Sequence, residues 1–203
     1  MISYPEYVPL CVPIWQENYA LRNNVKYDKD FGFYIENDPS IIADFSEWIP
    51  AKYNPELKGA ALLPDMLPLT SWEKNLRTIL NEEKWDKIRR NVYAAAGFRC
   101  EICGNRGKLE AHEKWKLINE TQVQKLEKIV AVCPTCHKAY HIGFAKSSGM
   151  LPDVKRKLMD VNGWTIEEVD KQLQEAYEIW QQRCEWDWTL DIELIYNNGY
   201  LYL

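Results

Sequence analysis

Two Cys-x-x-Cys pairs, Cys100–Cys103 and Cys133–Cys136, stand 29 residues apart and constrain this 203-residue chain more than any other feature. A pair at a tight knuckle turns both sulfurs towards one ion, and a second pair from elsewhere closes the tetrahedron. The spacing therefore predicts a structural Zn²⁺ held by Cys100, Cys103, Cys133 and Cys136. Gly104 follows the first pair, where a knuckle needs positive φ, and Pro134 sits inside the second, where no amide donor is required. The alternatives are disulfides or buried thiols. Disulfides are disfavoured because Met1-Ile-Ser-Tyr-Pro-Glu6 has neither a basic start nor an apolar stretch of the secretory kind, so a cytoplasmic protein is expected. Cys11 and Cys184 stand outside the set and read as small buried hydrophobes.

The three histidines of the chain, His112, His137 and His141, fall in the same region. His137 follows the last cysteine and His141 lies four residues on, so a helix beginning after the knuckle presents both imidazoles on one face. His112 sits in Lys108-Leu-Glu-Ala-His-Glu-Lys-Trp115, whose mixed alternation suits a short strand. A strand facing that helix brings three imidazoles together with one position open, a set suited to a working metal rather than a structural one. Two plainer readings stay open: a histidine takes a cysteine's place in the zinc site, or all three pack in the core.

Charge and patterning set the surroundings. No apolar run approaches the ~18 residues of a membrane span, so no membrane partner is expected. The net charge of −5 argues against a general nucleic-acid coat. Yet Lys84 to Lys146 holds 13 Lys+Arg against 6 Asp+Glu, so a basic island of +7 lies in flanks that total −12. Residues 1–62 form an aromatic-rich segment, with Tyr7–Trp15 confined to an edge strand or extended arm by its prolines, and an irregular connector from Pro50 to Pro68. Packing onto the core, or binding a protein partner, is its expected role. Residues 63–150 form the metal core, beginning with a helix over Glu82–Ala96 that Asn81 caps and Gly97 stops. Trp85, Ile88, Val92, Tyr93 and Ala96 form its buried stripe, and Lys84, Lys87, Arg89 and Arg90 lie off it. Asn119–Lys128 reads as a short helix or loop, since Val123 and Leu126 have helical spacing. Residues 151–203 carry a helix from a Thr165/Glu168 capping box to about Cys184, with Val169, Leu173, Ala176, Tyr177, Trp180 and Cys184 on one face. Trp186–Ile195 then alternates as a strand would, and Tyr200–Leu203 is apolar.

Cys100-x-x-Cys103, Leu109-Glu-Ala-His112, Ile129-Val-Ala-Val-Cys133-x-x-Cys136-His137 and His141 together resemble the HNH endonucleases, the ββα-metal group of treble-clef zinc folds. The strict part spans Phe98 to His141. Leu67–Trp72, Trp85–Tyr93, His141–Ala145 and Asn162–Trp164 extend it towards a bacterial and phage group of HNH proteins. The resemblance implies an α+β fold, a treble-clef zinc core with a ββα-metal hairpin and helix, flanked by helices. It implies that His112, His137 and His141 hold a second divalent ion (Mg²⁺, Mn²⁺, Ni²⁺ or Zn²⁺) and that the substrate is DNA. The family's water-activating histidine is replaced by Glu113, which becomes the candidate base or base-positioner. The family's loop asparagine falls near Lys128, a candidate phosphate contact. The expected activity is metal-dependent hydrolysis of DNA phosphodiester bonds, with His112, Glu113 and Lys128 as catalytic candidates. The alternatives are an inactive HNH-like zinc module that binds DNA or a protein, and a small phage or defence protein that inhibits a partner through its N-terminal segment.

Overall fold

The computed structural model describes residues 6–71 and 73–197. Met1–Pro5, Trp72 and Asn198–Leu203 lie outside the described residues, and with them the apolar Tyr200–Leu203 run. Near the N-terminus, β1 (Tyr7–Pro9) is followed by α1 (Glu17–Arg22), β2 (Lys26–Asp28), β3 (Gly32–Glu36) and α2 (Pro39–Asp44). The strands form an antiparallel sheet of order β1-β3-β2. Pro9, which cannot donate to a ladder, is thus on an edge strand opposite Tyr34, as its sequence predicts. Val8, Leu10, Val12, Ile35 and Trp48 close a small core around it.

This N-terminal unit is bolted to the first cysteine knuckle. Ala51 N–H donates to Glu101 O and Lys52 N–H to Ile102 O, both at 2.8 Å. Gly97 has φ +56°, and a Cβ there would lie 2.2 Å from Val12 O, so only glycine admits this approach. Packing onto the metal core is therefore one role of the aromatic segment. The connector beyond Pro50 is irregular apart from short 3₁₀ turns, as expected.

The core begins with α3 (Leu76–Ile79) and α4 (Glu82–Ala95). The Asn81 side chain accepts from Lys84 N–H and caps α4, and Trp85, Ile88, Val92 and Ala96 are buried. An antiparallel hairpin follows, β4 (Glu110–Ile118) with β5 (Val123–Val132), then α5 (Pro134–Tyr140), α6 (Ile142–Ser147), α7 (Leu151–Asn162) and α8 (Ile166–Arg183). Thr165 and Glu168 form the reciprocal capping box of α8. The chain ends in β6 (Thr189–Asp191), which adds to β5 in parallel, and α9 (Glu193–Asn197). The architecture is mixed α+β with two three-stranded sheets. Among the described residues no helix is long and apolar enough to cross a membrane.

Two expectations are corrected. Asn119–Lys128 is not a helix or loop: residues 119–122 make the turn and β5 starts at Val123. Its alternation is broken by a bulge, because Trp115 pairs with Leu126 while Lys114 pairs with Lys128, leaving Glu127 as the extra residue. Gln124 and Leu126 are buried on one face and Val123 lies on the other, so the three-residue spacing of Val123 and Leu126 marks no helical face. Trp186–Ile195 is only partly strand: pairing covers Thr189–Asp191. Asp191 Oδ1 then accepts from Glu193 N–H, starting α9, which buries Ile195 completely.

Candidate metal centres

The four cysteines converge as their spacing predicts. Cys100 and Cys103 flank a knuckle closed by Gly104 N–H donating to Cys100 O at 2.9 Å, with Gly104 at φ +75°. Cys133 is the N-cap of α5, Pro134 occupies its first turn, and Cys136 enters from that turn. All four sulfurs lie within 4.8 Å of one another. A tetrahedron with bonds of about 2.3 Å has sulfur–sulfur edges of about 3.8 Å. Cys103 Sγ and Cys133 Sγ are 3.8 Å apart, too far for a disulfide and right for such an edge. Mutual S–H contacts within the crowded tetrad push the Cys103 and Cys133 thiols down and the Cys100 and Cys136 thiols up. Sulfurs this crowded ionise together only around a cation. Burial disfavours the Lys157 ammonium, yet the negative charge of the cysteine cluster and of Asp160 raises it above its ordinary value. Lys157 thereby offsets part of the negative charge of a tetrathiolate. Cys11 is buried with its Sγ 3.9 Å from Cys100 O, and Cys184 is half-buried beside Leu69 N–H.

The histidines form a second, separate cluster, with ligand nitrogens within 4.8 Å of one another. His112 comes from β4, His137 from α5, and His141 from the residue that ends α5, its N–H donating to His137 O. No cysteine is replaced, so that alternative falls. His112 is 3% exposed and stacks on the Tyr140 ring at 4.0 Å and 11°. Its Nε2 is buried with no hydrogen-bond partner. His137 Nδ1 lies 2.6 Å from Glu110 Oε2, which turns Nε2 inward to within 3.1 Å of His141 Nε2. A carboxylate bracing the outer nitrogen of an imidazole is the usual support for a metal-binding histidine. Burial lowers the His112 pKa, and burial with the other two imidazoles pushes His141 down to about 4. Both are neutral at neutral pH, with lone pairs available to an ion. Burial opposes ionisation of Glu110, but the His137 hydrogen bond holds its carboxyl below the ordinary range.

Glu113 and Lys128 lie apart from this cluster. The strand pleat turns Glu113 to the face opposite His112, where Oε1 accepts from Leu76 N–H at 3.1 Å and Oε2 from Trp115 Nε1 at 3.2 Å. Burial pushes the Glu113 carboxyl up to about 7. Lys128 Nζ is 2.6 Å from Glu101 Oε1, on the knuckle side of the hairpin. Glu101 Oε2 also accepts from Ala131 N–H at 2.6 Å, so this pair ties knuckle to hairpin.

The histidines and Glu113 share the lining of one cleft of about 890 Å³ with Arg77, Trp85 and Trp115 on the hairpin side. Leu173, Tyr177 and Trp180 of α8 also line it. Of the apolar stripe expected to bury α8, Val169 is buried and Leu173 packs partly on the core, while Leu173, Tyr177 and Trp180 line this cleft and Tyr177 is 43% exposed. Sequence reasoning missed two carboxylates. Glu110, two residues before His112, shares its strand face, a period-two signal that was legible. Asp65 lies in the irregular connector and carries no local signal, yet its Oδ2 is 3.5 Å from His112 Nε2. Comparison with protein families, curated proteins and solved structures finds no match for this chain.

Proposed function

We propose that this protein is a metal-dependent endonuclease of the HNH kind that hydrolyses DNA phosphodiester bonds. The observation that carries the reading is the convergence of three imidazoles from a hairpin strand and the following helix, one with a buried, unpartnered Nε2 and one braced by Glu110. Strand, strand and helix also follow one another in the order of the ββα-metal element, with a cysteine tetrad at its root. That order supports the HNH resemblance and the treble-clef core it implies.

His112, His137 and His141 would hold the divalent ion, which would polarise the phosphate and stabilise the departing oxyanion. The cysteine tetrad would hold a structural Zn²⁺ that ties the knuckle to α5. Glu113 corresponds to the family's base position, and a carboxyl titrating near neutrality suits proton exchange there. Its two hydrogen bonds must loosen for it to reach water. Arg77 and Lys146, which line the cleft, suit the phosphate contact better than Lys128, which is paired with Glu101. Exposed rings at the cleft, Tyr177 and Phe144, would stack on unpaired bases.

The test is nicking and linearisation of supercoiled plasmid, and cutting of single-stranded DNA, with Mg²⁺, Mn²⁺, Ni²⁺ or Zn²⁺. Cleavage that His112→Ala or His137→Ala abolishes supports the proposal. The second reading, an inactive zinc module, is favoured by the engagement of both Glu113 oxygens. It prevails if no ion supports cleavage of either substrate.

A further inference from the structure

We infer that Asp65, from the connector ahead of the core, is a fourth protein ligand to the ion held by His112, His137 and His141. This rests on the metal reading of the histidine set but not on nuclease activity. Asp65 Oδ2 and His112 Nε2 are 3.5 Å apart. That separation is beyond the usual 2.7–3.2 Å of an N–H···O hydrogen bond, and the nitrogen has no hydrogen-bond partner although it is buried. With bonds of about 2.0–2.2 Å to nitrogen and oxygen, ligands on a tetrahedral ion stand about 3.3–3.5 Å apart. The two atoms are therefore spaced as neighbours around an ion rather than as donor and acceptor.

The rest of the setting agrees. Asp65 N–H donates to Tyr140 O at 3.0 Å, which fixes the connector to the helix carrying the other two imidazoles. The Tyr140 ring stacks on His112, so backbone and ring of one residue hold both atoms of the pair. The Asp65 side chain is 16% exposed, and among the described residues no Lys or Arg lies within ion-pair distance of it. A mostly buried carboxylate thus faces a buried imidazole nitrogen that has no hydrogen-bond partner. Asp65 stands outside the 4.8 Å cluster of the three histidines, so ligation requires its carboxylate to close in on the ion.

A fourth ligand changes the character of the site. Three neutral imidazoles leave the full charge of a divalent ion, whereas the carboxylate cancels one unit and adds the oxygen donor that Mn²⁺ favours. It also fills the position a three-histidine site leaves open, so a substrate oxygen would enter as a fifth ligand.

The probe is Co²⁺, titrated into full-length protein whose cysteine tetrad is already filled with Zn²⁺, and read by d–d absorption without thiolate charge transfer. Asp65→Ala is expected to weaken Co²⁺ binding by at least about 10-fold and to change the shape and intensity of the saturated spectrum. Asp65→Asn, nearly identical in shape, should fall between and guards against a folding defect. Zinc content and circular dichroism should match the wild type. Unchanged affinity in Asp65→Ala overturns the inference, as does weaker binding with an unchanged saturated spectrum, which would make Asp65 a support for His112. If wild-type protein binds no Co²⁺, or His112→Ala binds it equally well, the metal reading itself fails and takes the inference with it.

Discussion

Replacing Glu110 with alanine should weaken metal binding at the histidine set while leaving the cysteine tetrad filled. The contact removed is the 2.6 Å bond between Glu110 Oε2 and His137 Nδ1, which fixes the tautomer and aim of that imidazole. Hydrogen bonds to a charged group contribute about 1.5–3 kcal/mol, equivalent to roughly 10- to 150-fold in an equilibrium. The two side chains are 32% and 26% exposed, so solvent screening favours the lower part of that range, about 10- to 30-fold. Glutamine keeps an oxygen that accepts the same N–H without the charge, so Glu110→Gln should lose only a few-fold. The assay is competition with a calibrated chelator at neutral pH on protein with its tetrad zinc-filled, for wild type, Glu110→Gln and Glu110→Ala. A graded series supports the bracing argument. Equal affinity in all three would refute it and reduce the bond to a surface ion pair.

Cys133→Ser should lower the zinc content by one ion per chain and destabilise the whole core, because Cys133 would be one of the four thiolates that tie the knuckle to α5; elemental analysis with thermal melting reads both effects. Gly97→Ala should cost at least about 2 kcal/mol, since φ is +56° and the new Cβ would meet Val12 O at 2.2 Å; chemical denaturation measures it. The metal-free protein should lose stability as pH falls from about 6.5 towards about 4. His112 and His141 have lowered pKa values in the folded state, so at these two sites the unfolded chain binds protons that the folded chain does not, which outweighs the single opposing proton that Glu113, raised to about 7, takes up when folded. Urea midpoints at successive pH values would follow it, and His112→Ala should flatten the slope.

Each feature that the sequence conveyed well is governed by local geometry. Cys-x-x-Cys spacing sets the reach of two sulfurs, and the i, i+4 relation of His137 and His141 is set by one helical turn. The Asn81 and Thr165 caps were legible because a capping side chain bonds amides two or three residues away. The hairpin strand β5 was misread because Val123 and Leu126 stand three residues apart on opposite strand faces, and because its partner strand β6 arrives more than 60 residues later. The face of α8 was read as core because Leu173, Tyr177 and Trp180 repeat at helical spacing. Periodicity gives the face but not what stands opposite it, and here that is partly a cleft.

By itself, then, the sequence determined the cysteine tetrad, the pairing of His137 with His141, and the main helices with their caps. Tertiary structure alone decided that His112 meets the other two imidazoles, that Glu113 faces away from them, and that Asp65 arrives from 47 residues upstream of His112. The physical reason is one of range. Backbone geometry fixes relations between residues within about a turn of one another. Encounters between distant segments depend on how apolar faces bury one another, and hydrogen bonds such as Asp65 N–H to Tyr140 O fix their final register.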